Sequence, residues 1–302
     1  MQSKWRVAPA AAAARLSAAV LMSAAVVLSG TVGAQTTDAP KQEYAPNVGQ
    51  EGKDVIWVPT PQSLVEKMLQ MAATKPTDYV VDLGSGDGRT VITAAKKFGA
   101  RALGIEYNPD MVELAKRAAE KEGVAGKAQF MKADIFETDF SQANVLTLYL
   151  LPSLNLKLRP TILNMKAGTR VVSHAFSMDD WQADQTESSE GRTAYLWIVP
   201  AKVEGAWRLE VAGSGPRVYE GSFEQKFQNV EGSFKAQNKA LLLRNGKLKG
   251  DTISFTLNDP DANSRRDFVG KVSDGGNRIE GTAKVAGTNA ESKWSATRSG
   301  GR

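Results

Sequence analysis

The 302-residue sequence has no cysteine and a single histidine, His174. The first absence excludes disulfides, thiol nucleophiles, a lipid-modified cysteine and cysteine-ligated zinc. The second excludes a histidine cluster, so no metal site is expected. Chemistry must run on carboxylates, hydroxyls and an organic cofactor. Also missing is a dense Lys/Arg stripe with interleaved aromatics, the electrostatic footprint of a nucleic-acid partner, and no nucleic acid is expected.

What is present first is an address. Lys4, Arg6 and Arg15 precede an apolar run over residues 16–28, followed by the small residues Val32-Gly33-Ala34. That pattern reads as a secretory signal peptide over residues 1–34, and the run is too short to make a good bilayer span. Cleavage after Ala34 leaves 35 basic residues against 33 acidic ones, no membrane span, and a periplasmic or secreted product. Initiation at Met22 instead drops all three basic residues, shortens the run and leaves a cytoplasmic protein.

The remaining length exceeds the usual size of one hydrophobic core, so two domains are expected. Residues 35–52 are polar, contain Pro40 and Pro46, and read as a flexible arm. Residues 53–202 alternate strand-like and helix-like segments. Thr60-Pro61 is expected to start a helix, with Pro61 at its first position, and strands are expected at residues 78–83, 101–106, 128–132, 144–150, 169–176 and 195–199. The alternation implies a doubly wound, Rossmann-like α/β sheet, parallel and covered on both faces. Over residues 203–302 the helical period disappears. Short alternating segments are separated by Asn245-Gly246 and Asp274-Gly275-Gly276-Asn277, which predicts a small all-β barrel or sandwich with Trp207 and Trp294 near its closure.

The chemistry concentrates in the turn Asp82-Leu83-Gly84-Ser85-Gly86-Asp87-Gly88, between the first strand of this sheet and its helix. Glycines there let backbone approach a ligand at the carboxyl edge of the sheet. Dinucleotide enzymes place a pyrophosphate at such a turn, where flanking acids would repel it. Asp82 and Asp87 instead suit a ligand carrying an ammonium and a sulfonium, which favours S-adenosylmethionine. Glu106, ending the second strand, can accept hydrogen bonds from both ribose hydroxyls. Asp134, after the third strand, can accept from the adenine amine, with Ile135 and Phe136 packing on the ring.

The run from Val81 to Arg89, then Gly104-Ile105-Glu106, then Ala133-Asp134, resembles the cofactor motifs of the seven-strand, class I methyltransferases. Trp57-Val58-Pro59-Thr60-Pro61, Leu148-Tyr149-Leu150-Leu151-Pro152 and Val171-Val172-Ser173-His174 resemble a branch containing small archaeal and mitochondrial protein-lysine methyltransferases. The resemblance covers residues 54–202. It implies that Asp82, Gly84, Ser85, Gly86, Asp87 and Gly88 surround the methionine part of S-adenosylmethionine, that Glu106 binds ribose, and that Asp134 and Ile135 lie near adenine. It also implies an acceptor side at residues 144–152, where Tyr149 lines the methyl-transfer channel. Ala175 and Ser177 stand where relatives often carry acids, so no acceptor role carries over to that loop. His174 is expected to be held by backbone rather than to act as a base.

The expectation is therefore a methyltransferase whose acceptor, by that resemblance, is a protein lysine. S-adenosylmethionine is made in the cytosol, whereas the leader points across a membrane. The competing expectation is an exported, non-catalytic binding protein that reuses the methyltransferase fold.

Overall fold

The computed structural model describes residues 44–213, 217–237, 239–259 and 264–299; the expected signal peptide lies outside them. Five short strands run parallel: β1 (Tyr79–Leu83), β2 (Arg101–Glu106), β3 (Ala128–Lys132), β4 (Val145–Leu148) and β5 (Arg170–His174). β6 (Gln185–Ser189) and β7 (Arg192–Ile198) complete a seven-stranded sheet of order β3-β2-β1-β4-β5-β7-β6. The order reverses at β1, which opens a crevice beyond the carboxyl ends of β1, β2 and β4.

The wholly parallel sheet expected from the alternation is corrected at this edge. β7 runs antiparallel to both β5 and β6, because a loop rather than a crossover helix follows β5. Glu190 and Gly191 join the last two strands with φ of 51° and 72°, the geometry of a tight two-residue hairpin. β6, with the sequence QTESS, carries no apolar alternation because it is a largely exposed edge.

Helices cover both faces. α1 (Gln62–Met71), α2 (Arg89–Phe98) and α3 (Pro109–Lys121) bury Leu64, Val91 and Val112 against Val80 and Val145 on one face. α4 (Pro152–Leu163) buries Leu158 and Ile162 with Val81, Leu146 and Trp197 on the other. Adjacent strand residues serve opposite cores, as the period of two requires. Asn108 caps α3 by accepting from Asp110 N at 2.9 Å. α1 begins one residue later than the sequence suggests: Pro61 is its cap, and the Thr60 hydroxyl is engaged elsewhere.

The described part of the supposed flexible arm is also ordered. Between Asn47 and Trp57 the chain forms a small hairpin, with Trp57 N donating to Gln50 O at 2.9 Å, Gly49 N to Trp57 O at 2.8 Å and Gly52 N to Val55 O at 2.9 Å. These bonds satisfy backbone groups without any repeating apolar pattern, so composition alone reads them as loop.

Strands β8 (Gly205–Val211), β9 (Arg217–Lys226), β10 (Asn229–Ala236), β11 (Lys239–Lys249), β12 (Thr252–Asp259), β13 (Ser264–Ser273), β14 (Arg278–Val285) and β15 (Glu291–Arg298) form a closed antiparallel barrel. It closes between β15 and β8, where Trp294 registers with Val211 and Arg298 with Trp207. Both tryptophans are buried there, so the alternatives of barrel and sandwich resolve to a barrel. Eight strands leave an interior that side chains can fill. Here the Phe255 ring lies 4.8 Å from Phe268 and 5.5 Å from Phe223.

The barrel docks at the amino end of the parallel strands. Ala201 N donates to Gly250 O at 2.8 Å, Gln228 Nε2 donates to Gln182 O at 2.8 Å, and Phe227 stacks on Trp181 with centroids 5.9 Å apart. Gly168, which packs against Gly250, precedes β5. The crevice lies at the opposite end, about 16 Å away for strands of this length. Truncating half-buried Phe227 to Ala is expected to cost about 2 kcal/mol and to lower the thermal midpoint. An unchanged midpoint would show that this contact does not join the two parts.

Candidate active site

The floor of the crevice is the glycine turn after β1. Gly84 and Gly86 have φ of 78° and 53°, which favours glycine at both. Gly84 N and Ser85 N both donate to Ile105 O, at 2.9 and 3.1 Å, and Gly86 N donates to Glu106 Oε2 at 2.9 Å. A Cβ on Gly86 would lie 2.6 Å from Trp57 Nε1, so the hairpin sits directly over the turn. The resulting cavity holds about 520 Å³. Asp82, Gly84, Ser85, Gly86, Asp87, Glu106, Asp134, Ile135 and Tyr149 all line it. Ser85 is buried, and its Oγ has no hydrogen-bond partner.

Gly88 departs from the expected set. It does not line the cavity; it caps α2 in the left-handed region, with φ 81°, and any Cβ there would lie 2.6 Å from Phe130 and 2.8 Å from Ala115. Its glycine serves helix-to-sheet packing rather than ligand contact.

The four acids have different surroundings. Asp82 is buried on β1 and accepts from Thr147 Oγ1 at 2.5 Å. Burial, with added repulsion from Glu106 and Asp87, pushes its carboxyl up to about 7, against the stabilising bonds from Thr147 and Thr90. Glu106 accepts from Gly86 N and Asn108 N, both at 2.9 Å, and keeps lone pairs for a ligand. Asp87 is clamped by Arg89, with Nη2 at 2.6 Å and Nε at 3.0 Å. Asp134 pairs with Lys53 of the hairpin and accepts from Phe136 N at 2.9 Å. The Lys53 ammonium also lies 4.8 Å from the Tyr107 ring centre. Its hydrogen bond is the main cause holding the Asp134 carboxyl below its ordinary value. The carboxylate expected beside adenine is thus shared with a lysine to which the sequence assigned no role.

The far wall is aromatic. Tyr149 follows β4 and stacks on His174 with centroids 3.8 Å apart, and Phe176 lies 6.1 Å from it. His174 is fully buried and is held by the Thr60 hydroxyl at 3.0 Å, not by backbone as expected. Burial first, then the Arg192 charge, lowers its pKa to about 4. It is therefore neutral near pH 7, and it does not line the cavity, which removes it as a base for a bound acceptor.

Both cations that line the cavity, Lys53 and Arg89, already pair with carboxylates; Asp82 and Glu106 meet only neutral donors. Glu51 and Asp54 add negative charge at the mouth. Such a crevice suits a cationic ligand with a diol and repels phosphates. The glycine cradle and the lone pairs of Glu106 fit the nucleoside and amino-acid parts of S-adenosylmethionine. Among the described residues, no group of three His, Asp or Glu could hold a metal, and no helix is long and apolar enough to cross a membrane. Sequence reasoning gave no individual role to Lys53, Trp57, Thr60, Arg89 or Thr147, which border or brace this crevice. Trp57, Thr60 and Arg89 fall within the quoted motifs of residues 57–61 and 81–89; Lys53 and Thr147 arrive through pairings that no spacing encodes.

The chain is similar in sequence to known methyltransferases. The ANTKMT methyltransferase domain matches residues 82–185, and a DNA methylase domain matches residues 40–117. A protein-lysine N-methyltransferase of Saccharolobus islandicus is 40% identical over 151 residues, covering 48% of this chain and 94% of the relative. The adenine nucleotide translocase lysine N-methyltransferase of Mus musculus is 31% identical over 156 residues, covering 51% of this chain and 62% of that relative. Among solved structures, an RNA methyltransferase from Salinibacter ruber in complex with S-adenosyl-L-homocysteine is 50% identical, covers 48% of this chain and 96% of that one, and superposes with a TM-score of 0.48.

The raised Asp82 pKa has a consequence for stability. An unfolded Asp titrates near 3.9, so between about pH 4 and pH 7 the folded chain holds a proton that the unfolded chain has lost. Folding is thus destabilised progressively as pH rises through that window, by up to roughly 4 kcal/mol above it. Asp82→Asn is expected to flatten this part of the profile, gaining stability relative to the parent at pH 8 but not at pH 4. Denaturant melts of both proteins across pH 4–8 measure the difference, and parallel profiles would contradict it.

Proposed function

This chain belongs to the protein-lysine N-methyltransferase family of class I S-adenosylmethionine-dependent enzymes, and from that premise we propose that it methylates a lysine side chain of a protein. The carrying observation is the acidic crevice beside an aromatic wall: carboxylates for a cationic donor, and Tyr149 with Phe176 for a cationic acceptor before it gives up its proton. S-adenosylmethionine supplies an electrophilic methyl group on a sulfonium. Asp82 and the turn Gly84-Ser85-Gly86 would hold its methionine part, with Asp87 kept in place by Arg89. Glu106 would take the ribose hydroxyls, while Asp134 and Ile135 would take the adenine. Trp57, Tyr149 and Phe176 exclude water and align the acceptor, which is most of what an in-line displacement requires. Desolvation between these rings and a nearby positive charge favours the neutral amine. No base of this chain is needed at the nucleophile, whose proton leaves to solvent before the transfer.

A second reading is favoured by the leader-like pattern of residues 1–34, which would direct the chain to a compartment where the donor is not made. It is an exported binding module on the same fold. Mass spectrometry of the native amino terminus addresses it, since a start at Gln35 supports export and retained upstream residues argue against cleavage.

Incubating the purified chain with methyl-labelled S-adenosylmethionine and separated protein and RNA fractions tests the enzymatic reading. Acid hydrolysis of the protein fraction is expected to yield labelled methyllysine, and Glu106→Gln should reduce it about tenfold by weakening charge-assisted bonds to the ribose. Label in RNA, or in neither fraction, would contradict the proposal.

A further inference from the structure

Thr60 lies between Pro59 and Pro61, so its backbone has little freedom: a residue before proline is confined to extended conformations, and each proline fixes its own φ. It is buried, and it is engaged from both of its oxygens. Its carbonyl accepts from Arg89 Nη1 at 2.9 Å, while the remaining face of that guanidinium grips Asp87 through Nε and Nη2. Its hydroxyl meets His174 Nδ1 at 3.0 Å, and the His174 ring lies against Tyr149 at 3.8 Å with planes 29° apart. One rigid residue therefore connects the carboxylate beside the glycine turn to the aromatic wall on the other side of the crevice. The chain of contacts runs Asp87, Arg89, Thr60, His174, Tyr149.

We propose that Thr60 is a positioning residue that couples occupation of the donor site to the orientation of Tyr149, with His174 as the transmitting ring. The proposal rests on the methyltransferase reading, in which the Asp87 end holds the methionine part of the donor and Tyr149 faces the acceptor. Neither Thr60 nor His174 exchanges a proton with substrate. His174 stays neutral because burial lowers its pKa to about 4, so the stack on Tyr149 does not change with pH in the neutral range. The Thr60–His174 link is buried, where a bond carries more of the geometry than it would at the surface, while the Arg89 links to Asp87 and to the Thr60 carbonyl are partly exposed. A ligand that draws on Asp87 shifts Arg89, and Thr60 is tied to Arg89 on one side and to the ring behind Tyr149 on the other.

The test combines calorimetry with 19F NMR on the full chain labelled with 3-fluorotyrosine, using S-adenosylhomocysteine as the probe and Tyr149→Phe to assign the position-149 resonance. In the parent and in Thr60→Ser, which keeps the hydroxyl, saturating probe is expected to shift that resonance. Thr60→Val has the same shape without the hydroxyl; it is expected to bind the probe within about threefold of the parent while less than a third of the shift remains. His174→Gln, which can still bond Thr60 but has no ring, should behave in the same way if Thr60→Val does not fold. A full-sized shift in either variant would overturn the coupling. So would a loss of affinity beyond about tenfold in Thr60→Val, which would make Thr60 part of the donor site itself. Absence of any binding heat with the parent protein would refute the donor reading and the coupling with it, and this is visible before any variant is made.

Discussion

A carboxylate that must stay near backbone yet away from water, at the end of the central strand, is the constraint around which the site is organised. Asp82 is buried on β1, bonded by a hydroxyl from β4 and repelled by two neighbouring acids. Leaving such a group without a cationic partner is costly in a bare fold and useful in one that receives a cation. The glycines that follow give close backbone approach, and their amides are bonded to the end of β2, so Glu106 is fixed by the same turn it helps to fix. The crevice is therefore made acidic and narrow by one local arrangement.

Around that arrangement, the elements divide the labour by the end of the sheet they occupy. At the carboxyl end, the hairpin over residues 47–57 places Trp57 on Gly86 and Lys53 on Asp134, while Tyr149, His174 and Phe176 form the opposite wall. At the amino end, the barrel meets the sheet through Gly250 against Gly168 and Phe227 against Trp181. The barrel interior is packed with aromatic rings, and its docking contacts lie a strand's length from the crevice. It acts on the methyltransferase part as a neighbour below the sheet rather than as a wall of the site.

The glycine turn, Glu106 and Asp134 were legible in the sequence because each is tied to the end of a strand, and strand ends can be read from apolar runs and turn residues. The barrel was legible for a related reason, since Ile253, Phe255 and Leu257 alternate and Asp274-Gly275-Gly276-Asn277 separates β13 from β14; Asn245-Gly246, expected to separate strands, lies instead inside β11, where the pairing shifts register. What escaped was set by contacts distant along the chain. Lys53 reaches Asp134 across 81 positions and Thr60 reaches His174 across 114, and no local pattern carries either. The antiparallel return of β7 and β6 escaped because β6 is polar and exposed. Gly88 was assigned to the ligand on its place in the motif, yet Phe130 and Ala115 decide its identity. The first 43 residues lie outside the described part, and the leader reading stands on sequence alone.

Underlying all of this is the claim that the crevice recognises a positively charged methyl donor. Paired calorimetric titrations at neutral pH, one with S-adenosylmethionine and one with a phosphate-bearing dinucleotide such as NAD, test it most directly. Saturable one-to-one binding of the first and none of the second is the result this account requires. Tighter binding of the dinucleotide would contradict it.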